Sequence, residues 1–171
     1  MVKIIGSVDN AATVRGIYHL IFTDDGIYVF MTMSRRESMS KMWHAQMSNP
    51  ARLVPVTGAA SNYEVSKEET MLLITENLER GKEIEQNLET KLNENPDGYE
   101  LIEYTSISSI ELDAGNLLKT PELLIRAAGK RFKFHLTGYN FQGSGKLPEE
   151  ILSGYENTLK MAVGDRLVVK R

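Results

Sequence analysis

Cysteine is absent from the 171 residues of this chain. The absence excludes disulfide bonds, zinc–thiolate centres and cysteine nucleophiles, and it is typical of a reducing compartment. Long apolar runs are absent too, since no stretch approaches the roughly 18 consecutive apolar residues of a membrane-spanning helix. Because the stretch from Met1 to Asp9 also lacks the pattern of a secretion signal, we expect a cytoplasmic protein, with peripheral attachment to a membrane as the alternative location.

Histidine is scarce: it occurs only at positions 19, 44 and 135, in none of the spacings that bind metals. We expect His19 to be a hydrogen-bonded, partly buried residue and His135 to face outward from a strand. Residues 143–146, Gly-Ser-Gly-Lys, lack the full spacing of a phosphate-binding loop, and we interpret them as a surface turn. We therefore predict no metal site, no cofactor and no catalytic residues.

Charge is distributed unevenly along the chain. The net charge is -3, but residues 67–103 contain 11 acidic and 4 basic residues, which leaves a net charge of +4 elsewhere. An acidic chain of pI near 5.7 is not expected to bind nucleic acid, although a local basic face remains open.

Residues 17–32 have the pattern of an antiparallel hairpin. Two runs of β-branched and aromatic residues flank Asp24-Asp25-Gly26, and the glycine suits a tight turn. Both runs are apolar at nearly every position. We therefore predict that both faces of the hairpin are covered.

A short helix is predicted to start at a capping box formed by Ser34 and Glu37 and to end before Asn49-Pro50. Its apolar stripe suits a protein partner or a membrane surface as well as the core of its own domain. The candidate surface comprises this stripe and its basic neighbours: Arg35, Arg36, Met39, Lys41, Met42, Trp43 and Met47. Residues 51–62 are predicted to form a loop.

A longer helical region is predicted over residues 67–93, opened by a second capping box, Ser66 with Glu69. Its apolar stripe is a candidate for self-association: Met71, Ile74, Leu78, Ile84, Leu88 and Leu92. The stripe changes phase near Gly81, so one kinked helix and two consecutive helices both remain open.

Strands are predicted over residues 99–104, 107–113, 122–127 and 131–137, followed by a helix from Pro148 to Gly164 and a basic tail, 165–171. The densest basic cluster, a candidate anion-facing surface, comprises Arg126, Lys130, Arg131 and Lys133. Charges on a strand also protect a sheet edge, and this second role remains open. The order of elements predicts one α+β domain over residues 1–171, with residues 34–95 as a helical insertion between strands.

Three segments resemble bacterial and archaeal pleckstrin-homology-like (PH-like) proteins, which are similar to GRAM domains. They are residues 18–30, residues 102–111, and residues 123–125 with 131–134. The sequence departs from the pattern by lacking a basic residue after the hairpin turn and by carrying Glu103 where proline is common. The resemblance implies an antiparallel β-barrel or roll with a carboxy-terminal helix, in a group of non-catalytic binding or assembly platforms.

Three functional hypotheses follow. The leading one is protein interaction or self-association through the helical insertion, which would give a homo-oligomer. The alternative is peripheral binding to anionic lipid through the basic amphipathic helix at 35–47 and the basic cluster at 126–133. An enzyme of unrecognised type is the third, and no group of residues supports it.

Overall fold

The computed structural model describes residues 2–48, 59–136 and 145–171, with side chains throughout except at 42–48 and 59–69. The strands are β1 (Ile4–Ala12), β2 (Gly16–Thr23), β3 (Gly26–Ser34), β4 (Tyr99–Glu103), β5 (Ile107–Asp113), β6 (Glu122–Ala127), β7 (Lys130–Leu136) and β8 (Leu167–Lys170). The helices are α1 (Arg35–Ser48), α2 (Ala59–Gln86), α3 (Leu88–Glu94) and α4 (Glu149–Val163). The predicted α+β class is confirmed, and α1, α2 and α3 lie between β3 and β4.

The eight strands form one sheet in the order β4-β3-β2-β1-β7-β6-β5-β8. All neighbours are antiparallel except β5 and β8, which are parallel. Strands β4 and β8 are the two edges, and no pairing between the described strands closes the sheet. The closed barrel that the resemblance implies is therefore not formed by these strands.

The main hydrophobic core lies on the inner face of the sheet. Leu20 and Phe22 of β2 are buried there together with Ile27 and Val29 of β3. Helix α4 covers this core with a stripe spaced three or four residues apart: Leu152, Tyr155, Leu159 and Val163. Strands β5, β6 and β7 contribute further large apolar side chains, so both halves of the sheet share one core.

A second core covers the outer face of the β2–β3 hairpin. Ile21, Tyr28 and Phe30 pack there against Leu88 of α3. Because side chains alternate between the two faces of a strand, an apolar run in both strands fills both cores at once. The prediction that both faces of the hairpin are covered is confirmed.

The predicted helix boundaries in the insertion need correction. Helix α2 begins at Ala59, so the predicted loop at 51–62 is wrong from that residue on, and Ser66 lies inside a helix instead of capping one. The chain forms two helices, but the break is at Asn87, whereas α2 continues through Gly81. The Ser34 cap of α1 is confirmed by a hydrogen bond of 3.1 Å from the amide of Glu37 to the Ser34 hydroxyl.

Two strands were not predicted. Strand β1 contains Gly6, Ser7, Asp9 and Asn10, which have low strand propensity, and it forms through pairing with β2. Strand β8 was interpreted as part of a basic tail, but its four residues pair with β5. Strands β5 and β6 have the predicted boundaries, β4 ends one residue earlier than predicted, and β7 is Lys130–Leu136 where residues 131–137 were predicted.

Candidate ligand-binding groove

A groove of about 290 Å³ opens between the β1–β2 turn, the inner face of β3 and β4, and the first residues of β7. It lies where two parts of the sheet separate. Strand β7 pairs with β6 along its whole length, but with β1 only at His135 and Leu136. Residues 131–134 therefore have no described strand partner on the side that faces the groove.

The floor of the groove is apolar and continuous with the main core. Tyr18 and Phe134 meet edge to face, with ring centroids 5.9 Å apart. Phe132 and Val29 complete this floor. Because these side chains are held by the core, the floor is preformed and not assembled by a ligand.

A tight turn forms one wall. The Thr13 amide donates to the carbonyl of Gly16 over 2.8 Å, and the Arg15 amide donates to the Thr13 hydroxyl over 3.0 Å. These bonds present Val14 and Arg15 at the tip of the turn, and Val14 is 80% exposed. An apolar and a basic side chain thus project side by side from the rim.

The start of α1 lies beside the same turn, because the Arg35 amide donates to the carbonyl of Arg15 over 2.8 Å. Arg15, Arg35 and Arg36 are all exposed. The fold therefore brings basic residues of the predicted amphipathic helix close to a groove that β7 also lines. Sequence reasoning missed Arg15, because its role depends on this tertiary contact.

The predicted anion-facing cluster is only partly at the groove. Arg131 and Lys133 line it. Lys133 is paired with Glu122 at 2.8 Å, whereas Arg131 has no acidic partner among the described side chains. Lys130 is exposed at the β6–β7 turn. Arg126 does not line the groove, and its side chain pairs with Glu111 and donates to Ser109.

One carboxylate also lines the groove. Glu100 of β4 stands opposite Val29 in the register between β3 and β4, so the two side chains share the inner face. Glu100 is exposed and makes no ion pair with a described basic residue. Nothing in the local sequence indicated this residue.

Most side chains of the candidate self-association stripe are buried or half-buried within the chain itself. Leu88 is buried against the hairpin, and Ile84 and Leu92 pack beside it. Ile74 and Leu78 are half-buried. Met71 is 49% exposed and its neighbour Leu72 is 70% exposed, so the apolar surface that remains lies in the preceding part of α2.

The candidate surface of α1 is described only in part. Arg35, Arg36 and Met39 are exposed, and Lys41 is held by Glu76 of α2. The side chains of Met42, Trp43 and Met47 lie outside the described residues. Whether that stripe is covered therefore stays a prediction.

A polar network that the sequence did not reveal joins α1, α2 and β3. Arg80 donates to the Thr32 carbonyl over 2.5 Å, to Glu37 over 2.6 Å and to Glu76 over 2.7 Å. The Thr32 hydroxyl donates to the buried Asn77 amide oxygen over 2.6 Å. The hydrogen bond from Arg80 lowers the pKa of Glu37, and the one from Lys41 lowers the pKa of Glu76. The network orients the helices on the sheet.

The histidines have structural environments where they are described. His19 is buried, and its Nε2 lies 2.7 Å from Oε1 of Glu85, as expected for a hydrogen-bonded residue of the hairpin. This bond lowers the pKa of Glu85. His135 is 43% exposed, with Nδ1 3.5 Å from Glu122. The side chain of His44 lies outside the described residues.

The remaining candidates add no chemistry to the groove. Within the described residues, no three His, Asp or Glu side chains form a group that could hold a metal ion. Gly143 and Ser144 lie outside the described residues, Gly145 is buried and Lys146 is exposed. None of the described helices is long and apolar enough to cross a membrane. Comparison with protein-family models, curated proteins and solved structures found no significant match to this chain.

Proposed function

We propose that this chain is a non-catalytic, PH-like binding module that attaches to an anionic membrane surface through the rim of the groove. The observation that carries the proposal is the position of Arg15 and Arg131, both exposed and without described acidic partners, around an apolar floor. The PH-like part is supported by the chain order of β1 to β7 followed by α4.

The rim has the two components of a membrane-surface contact. Each basic residue near an anionic surface contributes about 1 kcal/mol. The Arg35 amide is hydrogen-bonded to the Arg15 carbonyl, Arg36 follows it in the chain, and Arg131 lines the same groove as Arg15 from β7. Val14 adds an exposed apolar side chain at the tip of the turn, suited to the boundary between headgroups and acyl chains. A groove of about 290 Å³ suits a headgroup-sized ligand.

Sedimentation with vesicles tests this proposal. Wild type is expected to bind phosphatidylcholine vesicles that contain phosphatidylserine or phosphatidylglycerol, and not vesicles of phosphatidylcholine alone. Arg15→Gln and Arg131→Gln should each weaken binding about fivefold, the equivalent of 1 kcal/mol. Higher salt should weaken wild-type binding, since it screens exposed charges.

Lys146→Gln is the matched control, because it removes one exposed positive charge at a position outside the groove. It should bind as wild type does. Equal and negligible sedimentation of wild type with neutral and anionic vesicles would refute the proposal. Equal losses in all three variants would show that only net charge matters and would remove the role of the groove.

Self-association through the helical insertion is the second proposal, and the exposed Met71 and Leu72 of α2 favour it. It predicts a mass in light scattering that rises with concentration and falls back to the monomer in Leu72→Glu. A mass that stays monomeric at high concentration would contradict it.

A further inference from the structure

We infer that the groove selects a headgroup that carries an ammonium group as well as an anion, as phosphoserine does. The inference rests on the proposed function and specifies the ligand of the same site. Its basis is the charge set of the groove, in which Glu100 lies with Arg15 and Arg131 along one cavity. A site for anions alone would have no use for this carboxylate.

The position of Glu100 on β4 makes the carboxylate part of the groove wall. Strand β4 directs Ile102 into the main core, and Glu100 lies two residues earlier on the same face. Tyr99, Leu101 and Glu103 lie on the opposite face. An inward-facing position of this strand thus carries an ionisable group at the mouth of the groove.

Arg15 and Arg131 do not neutralise Glu100 through ion pairs among the described residues. In the described part of the chain, neither arginine has a guanidinium nitrogen within 4.0 Å of a carboxylate oxygen of Glu100. The positive charges of the arginines and the negative charge of Glu100 are therefore all available to a ligand. A purely anionic headgroup meets attraction from the arginines and repulsion from Glu100, whereas an added ammonium group turns that repulsion into attraction.

Backbone groups add to the anion side of the groove. Residues 131–134 of β7 have a side without a described strand partner, and it faces the cavity. Amide N–H groups on such a side can donate to phosphate or carboxylate oxygens. The groove thus offers donors and cations along β7 and the β1–β2 turn, and an acceptor on β4.

Edge protection is the competing account of Glu100. Strand β4 is an edge of the sheet, and inward-pointing charges keep edge strands from pairing with other chains. That account predicts that removing the charge changes self-association and leaves headgroup preference unchanged. Headgroup selection and edge protection therefore predict different results for the removal of the Glu100 charge.

The test compares phosphatidylserine with phosphatidylglycerol, since the two lipids have the same net charge and only the first carries an ammonium group. Wild type should bind phosphatidylserine vesicles about fivefold more tightly, the effect expected of one favourable charge contact. In Glu100→Gln the difference should shrink to within about twofold. Glu103→Gln makes the same change on the other face of β4 and should retain the wild-type preference.

Each outcome decides the inference. Equal binding of wild type to both lipids would overturn it and leave the proposed function standing, and so would a Glu100→Gln variant that keeps the preference. Binding to neither lipid would overturn both. Free phosphoserine distinguishes the source of the ligand: displacement from vesicles assigns recognition to the headgroup alone, and retention assigns it to the headgroup at a lipid surface.

Discussion

Gly81 shows how one residue can cost a helix stability and still be required by the fold. A glycine in a helix interior costs about 1 kcal/mol relative to alanine. In α2, however, Gly81 faces the buried ring of His19, and a Cβ atom there would lie 2.6 Å from Nδ1 and 2.9 Å from Cε1. The missing side chain is therefore what lets α2 approach β2 so closely.

Gly81→Ala is expected to destabilise the protein by about 1 to 3 kcal/mol, because the new methyl group overpacks a well-filled site. Gly154 in α4 is the matched control, since a Cβ atom there would meet nothing within 4 Å. Gly154→Ala should stabilise the protein by about 0.5 to 1 kcal/mol through helix propensity alone. Urea unfolding measures both, and stabilisation by both substitutions would contradict the packing argument.

Glu111 links three strands through its ion pairs. Its carboxylate on β5 accepts a hydrogen bond of 2.7 Å from Lys170 of β8 and pairs with Arg126 of β6. The hydrogen bonds from Lys170 and Arg126 lower the pKa of Glu111 from its ordinary 4.5 to about 2. Since the folded-state pKa is the lower one, the pairs stabilise the fold above the unfolded pKa, and their contribution is lost as the pH falls from about 4.5 to about 2.

Glu111→Gln should therefore lower the free energy of unfolding at pH 7, and the difference from wild type should vanish on acidification to about pH 2. The partners are half-exposed, so solvent screening limits the loss to about 1 kcal/mol or less. Glu94→Gln, on the exposed surface of α3, is the control and should show no such difference. A gap between Glu111→Gln and wild type that persists unchanged at low pH would contradict the ion-pair account.

At the scale of elements, α3 contributes to stability mainly through Leu88, which is 4% exposed against the hairpin. Leu88→Ala should cost about 2 to 5 kcal/mol, from lost burial and the cavity left behind. Leu72→Ala, in an exposed part of α2, should change stability by no more than about 0.5 kcal/mol. Thermal unfolding distinguishes the two. Equal, small effects would mean that α3 does not dock on the hairpin.

Elements defined by a local pattern were predictable from the sequence. The hairpin, β5, β6 and α4 each have a local pattern of apolar residues that is typical of a strand or a helix, and turn-forming residues lie next to them in the sequence. Strands β1 and β8 have no such pattern and form through their partners. Likewise, the sequence places the helix break near Gly81, whereas the structure has it at Asn87. The sequence shows that glycine disfavours a helix, but it does not show that Gly81 packs against the ring of His19.

The groove could be predicted only on its β7 side. Arg131 and Lys133 belong to a visible basic cluster, whereas Arg15 and Glu100 are single charges 85 positions apart. They line the same groove because β3 pairs with both β2 and β4, and this register lies outside any local window. Charges brought together in this way cannot be found from composition or periodicity.

At the scale of the whole molecule, the β2–β3 hairpin is shared by two cores. Its inner side chains belong to the core covered by α4, and its outer ones to the core covered by α3. Residues 67–103, which contain 11 acidic but only 4 basic residues, include α3 and most of α2, so the acidic part of the insertion covers the outer face. The groove lies beside the inner faces of β3 and β4, and its charged lining residues are Arg15, Arg131, Lys133 and Glu100. If the groove binds an anionic surface as proposed, the acidic residues of α2 and α3 lie on the other face of the hairpin.

The shared hairpin predicts what happens when the insertion is removed. Replacing residues 35–97 by a flexible linker of about six residues is geometrically reasonable, because β3 and β4 are antiparallel neighbours. The product should aggregate, since it exposes Ile21, Tyr28 and Phe30 as one apolar patch. Adding Ile21→Thr and Phe30→Thr should restore a soluble monomer in size-exclusion chromatography, because threonine keeps strand propensity while removing most of the patch. A shortened protein that is monomeric without these substitutions would show that the insertion is not needed to cover the hairpin.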